Sequence, residues 1–139
     1  MSTAQMITRL KRAEGLAAIF AASADTFEFI QQSAAAYAKP GTGLYHAFLS
    51  VVPLACEGRD LVSHAPSMPH SRVTTGVIDP LDPETTSPIR AADAIADLSA
   101  ELAHRLAEAV RLGRHAGDRD ALRHASLAVT ELAGILKRP

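Results

Sequence analysis

Residues Leu44 to Cys56 read Leu-Tyr-His-Ala-Phe-Leu-Ser-Val-Val-Pro-Leu-Ala-Cys and form the most continuously apolar stretch of the 139-residue chain. On a helix, Leu44, Tyr45, Phe48, Leu49, Val51, Val52, Leu54, Ala55 and Cys56 cover most of the circumference. What remains is a polar ridge of His46, Ser50, Pro53 and Glu57, at spacings of four, three and four. A helix so nearly apolar all round must be covered on several sides, and it is shorter than the roughly 18 to 20 residues that cross a bilayer. The stretch therefore predicts the central helix of a bundle. Pro53 lacks an amide and crowds the carbonyl four residues back, so a kink or a helix end is expected there.

Composition supports a helical reading. Alanine occurs 27 times and tryptophan not at all, which favours helices packed closely through small side chains. Fourteen basic residues against fifteen acidic ones leave no basic surplus on which nucleic-acid or anionic-membrane affinity could rest. The one cysteine, Cys56, excludes an internal disulfide and reads as a small packed hydrophobe in a reducing compartment. Arg9, Lys11 and Arg12 ahead of the apolar Gly15 to Ala22 imitate a signal peptide, but Glu14 interrupts the join. A cytoplasmic location is expected.

Outward from the central stretch, five segments carry helical periodicity. Met6, Ile7, Leu10, Ala13, Ala17 and Ala21 fall on one stripe and predict a helix over about 3–22, with Glu14 inside the stripe. Asp25-Thr26-Phe27-Glu28 has the form of a capping box, so a second helix is expected over 26–38, ending at Lys39-Pro40-Gly41. The central helix should span 43–57, or run to 64 if Glu57-Gly58-Arg59-Asp60 does not stop it. Ser87-Pro88 gives an N-cap and a first-turn proline to a helix over 88–113 with the stripe Ile95, Leu98, Leu102, Leu106, Ala109 and Val110. Asp118 is read as the cap of a last helix over 119–137, and the two form a hairpin.

Between the halves, residues 65–87 are irregular and rich in proline, with one possible extended piece at Arg72 to Ile78. Such a loop is either a passive span along the bundle or a lid or partner-binding segment, and the passive span is favoured. The expected fold is all-α: a single domain over 1–139, a compact bundle of four or five helices with this loop between the N-terminal helices and the C-terminal hairpin.

Chemistry-bearing patterns are few. His46 and Ser50 are four apart, as a base and a nucleophile on one helix would be, and with Tyr45 and Glu14 they are the candidate ligand-binding residues if the ridge turns inward. Glu101-x-x-His104 has diiron-bundle spacing, but its helical phase points away from the stripe. Glu101-Leu102-Ala103-His104-Arg105-Leu106 resembles, over six residues, the phosphoacceptor helix of sensor histidine kinases. It departs from that pattern at Ala107 and Glu108. His64 and His70 bracket five loop residues without a carboxylate or thiolate cluster, so no metal, cofactor or catalytic residue is assigned. Function is read as a non-enzymatic module binding a protein partner or a copy of itself, with no nucleic acid or membrane. The alternatives are a small-molecule-binding or catalytic bundle using Glu14, His46 and Ser50, and, more remotely, phosphotransfer through His104.

Overall fold

The computed structural model describes residues 2–69 and 78–137, and these are all-helical, with no strand. Helix α1 covers Thr3–Arg12, α2 Leu16–Tyr37, α3 Tyr45–Ser63, α4 Pro88–Ala109 and α5 Ala116–Leu136, with a 3-10 turn at Val110–Leu112 between the last two. Part of the expected extended piece, residues 72–77, and His70 lie outside the described residues.

The first boundary falls elsewhere than its periodicity suggests. The helix expected over 3–22 is broken, because Gly15 takes φ +82° and ψ 157°, a region open essentially to glycine alone. Glu14 sits in that break and is exposed, which is why a carboxylate interrupts the apolar stripe. α2 then runs straight through Asp25 and Thr26, so Asp25 is no cap. Its carboxylate accepts from Arg9 Nη1 of α1, and the Thr26 hydroxyl donates to the Ala22 carbonyl at 2.7 Å. Both polar groups thus find partners while inside the helix and need not end it.

The centre of the bundle is accordingly α2. Thirteen of its 22 residues are buried, against five of the 19 in α3, where Leu49 is exposed. α3 passes through Pro53 and Gly58 to Ser63, so neither residue stops it. Pro53 lies on the solvent side, where water can take the carbonyl it leaves free. Gly58 is buried against Phe27: a Cβ placed there would lie 2.2 Å from the Phe27 ring. Glycine at this position lets α2 and α3 approach closely.

Round the bundle the order is α2, α3, α5, α4, each neighbour packing on the next, and α1 lies across α4 and α2. Arg105 of α4 fastens α1. Its Nε donates to the Leu10 carbonyl at 2.9 Å and its Nη2 to the Ala13 carbonyl, placing a cation at the negative end of the α1 dipole. The hairpin follows its sequence pattern, since Ile95, Leu98, Leu102 and Leu106 are buried and Ser87 caps α4 through the Arg90 amide. Asp118 is again not a cap. It lies inside α5, is buried, and accepts from the Ser67 amide at 2.9 Å and from the Ser67 hydroxyl.

The Pro-rich connection is thus fastened at one end of the bundle by Ser67. At the other end the Leu81 amide donates to Ser33 Oγ at 3.0 Å, and the Tyr37 hydroxyl donates to the Thr86 carbonyl at 2.7 Å. Tyr37 also stacks on Phe48, with ring centroids 5.1 Å apart. Burial raises the Tyr37 phenol above its ordinary pKa of 10.0; the Thr86 side chain opposes this and the Asp82 charge adds to it. A phenol whose folded pKa is raised stabilises the fold below the unfolded value, and that contribution is lost as pH rises through about 10 and above. Tyr37→Phe is expected to cost about 1 kcal/mol at neutral pH and to flatten the alkaline fall. Urea unfolding from pH 7.5 to 11 measures both, and equal alkaline slopes in parent and variant would refute the assignment.

Candidate functional site

A concave feature with a chemically mixed lining lies between α3 and the start of α5. It is a groove of about 1100 Å³ whose floor and walls include Val52, Pro53, Cys56, Leu61, Ala65, Pro66 and Ala121. Its shape follows from local sequence. Beyond the end of α3 at Ser63 the chain runs into Ala65-Pro66, and Pro66 rests against Gly117, where an added Cβ would lie 3.0 Å from the proline ring. The Asp118–Ser67 hydrogen bonds hold that corner shut, so the chain leaving α3 is joined to α5 at this end.

Charge at the groove is one-sided. Glu57, Asp60 and Asp120 stand on its rim with His64 and His124, and among the described residues no lysine or arginine lines it. Arg59 and Arg123 approach Asp60 and Asp120 only to 3.7 and 3.9 Å. His64 is oriented by its Nδ1–H, which donates to the Asp60 carbonyl at 2.7 Å. Cys56 is half-buried in the wall. Among the described residues no three histidine, cysteine or carboxylate side chains converge as metal ligands. The lining offers apolar surface and negative charge, which suits binding more than bond-making.

The residues picked out from sequence are not brought together. Glu14 is exposed at the α1–α2 break, at the start of α2. Tyr45 and His46 begin α3, beside the far end of α2, so about 30 Å of helix separates them from Glu14. Tyr45 is half-buried with its ring 5.0 Å from that of His46, which is exposed, and both line a shallow hollow of about 440 Å³ with Pro40 to Leu44. Ser50 is exposed, and its hydroxyl donates to the His46 carbonyl at 2.9 Å rather than facing the imidazole. The polar ridge itself is real, since His46, Ser50, Pro53 and Glu57 all face outward. Its second half, Pro53 and Glu57, is part of the groove.

His104 is exposed on α4, with Nε2 3.3 Å from Glu108, while the neighbouring Arg105 turns inward to hold α1. Sequence reasoning missed the groove because its walls come from stretches more than fifty residues apart. Single members, Cys56 and His64, were visible, but nothing in the chain pairs them with Asp120 or His124.

No helix among the described residues is long and apolar enough to cross a membrane. No family model, curated protein or solved structure matches this chain.

Proposed function

We propose that the chain is a non-enzymatic helical binding module, whose α3–α5 groove receives an amphipathic helical segment of another protein. The observation that carries this is the lining: apolar side chains below a rim that, among the described residues, bears three carboxylates and no lysine or arginine. An occupant matching it presents apolar residues at helical spacing with lysine or arginine beside them. The single cysteine suits a reducing compartment, and we place the protein in the cytoplasm on that ground.

The test uses Cys56 as a reporter. Being the only cysteine, its reaction with N-ethylmaleimide reads groove access directly. Selection from a displayed library of helical peptides should enrich basic amphipathic sequences, and the enriched peptides should slow Cys56 alkylation. In Glu57→Lys/Asp120→Lys, two exposed changes, their affinity should fall several-fold and lose salt dependence. Enrichment of acidic peptides, or binding that leaves Cys56 fully reactive, would rule the groove out.

A further inference from the structure

A second surface, away from the groove, carries its own pattern. On the solvent side of α5, Arg123, Leu127 and Glu131 follow one another at intervals of one helical turn, and all three are exposed. Leu127 is the most exposed large apolar side chain among the described residues, at 68%. Beside it the α4–α5 seam opens a hollow of about 420 Å³ lined by Ala107, Val110 and Ser126 together with Arg123 and Leu127. The arrangement reads cation, apolar, anion along the helix. Turned through a two-fold axis at Leu127, it becomes its own complement: each Arg123 faces a Glu131 four residues beyond the axis, and each Leu127 lies over the other copy's hollow.

We propose that the protein self-associates through this face, two copies pairing their α5 helices antiparallel with Leu127 at the axis and Arg123 of each copy against Glu131 of the other. A second copy is the occupant because the charge order is self-complementary only for an antiparallel pair. A parallel pairing would set Arg123 on Arg123 and Glu131 on Glu131. Among the described residues the charge partner of Arg123 within its own chain is Asp120, at 3.9 Å between exposed groups, a loose contact that leaves the guanidinium available. One large apolar anchor per copy makes the contact small, and the dimer is a weak one.

Sedimentation velocity of the full chain over roughly 5 to 500 µM, a range that brackets a weak encounter, reads the equilibrium. Leu127→Glu should weaken association by at least about tenfold. Arg123→Glu alone makes both helix faces acidic, and Glu131→Arg alone makes both basic, so each variant should be monomeric across the range. Mixed together they should recover a heterodimer, since both cross-axis pairs are then opposite in charge. Circular dichroism checks that the three surface changes leave the helices intact. A parent that stays monomeric throughout, a dimer indifferent to Leu127→Glu, or two charge variants that fail to combine would each overturn the proposal.

Discussion

Gly58→Ala is expected to destabilise the protein by about 2 kcal/mol, lowering the melting temperature by roughly 5 to 10 °C, although alanine is the better helix former. On an open helix the exchange would stabilise by up to about 1 kcal/mol. Here the new methyl carbon would lie 2.2 Å from Cε1 and 2.4 Å from Cζ of Phe27, where carbon atoms normally rest about 3.5 to 4 Å apart. The Phe27 ring is wholly buried and is a rigid plate, so it cannot swing aside as a long chain end could. The α2 and α3 backbones must move apart instead, loosening the surrounding core. Phe27→Leu in the same chain should restore part of the loss, so that the double variant is more stable than the sum of the singles by about 1 kcal/mol. Thermal and urea unfolding of the four proteins measure this, and a Gly58→Ala protein as stable as its parent would show that the two helices do not meet so closely.

Arg9→Ala should cost about 3 kcal/mol, and the loss should be concentrated in α1. The pair it breaks is lopsided: the Asp25 side chain is 1% exposed in the middle of α2, while Arg9 retains 26%. Removing the arginine takes a cation away from a buried carboxylate, whereas removing the carboxylate leaves a guanidinium that can turn to water. Asp25→Asn should therefore be milder than Arg9→Ala. The apolar replacement Arg9→Met/Asp25→Leu should recover a good part of the stability, because it removes the need to hold charge in the interior. Amide exchange read residue by residue tests the localisation. With Arg9 gone, α1 amides should exchange faster than those of α5, and uniform acceleration would contradict it. Met6, Leu10 and the Arg105 bonds to the α1 carbonyls remain, so the helix should loosen rather than detach.

Neither the Phe27–Gly58 contact nor the Arg9–Asp25 pair is legible in the sequence, whereas the C-terminal hairpin is. The α4–α5 hairpin was legible because each helix has a single clean stripe, Ile95 to Leu106 and Leu122 to Leu136, with polar residues opposite. α2 was not, because its buried side chains go nearly all round and include Ser23, Asp25, Thr26 and Ser33. Without a dry and a wet face, periodicity has little to report, and Asp25-Thr26 naturally looks like a boundary. What overrides that reading lies outside the window: Arg9 is sixteen residues upstream, and the Ser33 hydroxyl serves the Leu81 amide forty-eight residues on. Gly58 poses the same difficulty. Locally a glycine suggests a stop, and only Phe27 on another helix explains it.

The candidate groove was half legible. The outward ridge His46, Ser50, Pro53 and Glu57 followed from spacing alone, yet the opposite wall at Gly117, Ala121 and His124 needed the fold. Glu14 could accompany His46 only if the first helix were continuous. The turn at Gly15 and the length of α2 separate them.

The Phe27–Gly58 contact also constrains descent. A side chain at position 58 and a full aromatic ring at position 27 cannot coexist at this helix separation, so substitutions at the two positions are expected to be accepted together or not at all. A distant relative with little residual identity can then be recognised by this exchange: a small residue facing a ring, or a larger one facing a reduced side chain. The thirty positions between Phe27 and Gly58 span the α2–α3 turn, so insertions and deletions should be tolerated at Lys39 to Gly43 and excluded from the helical spans on either side.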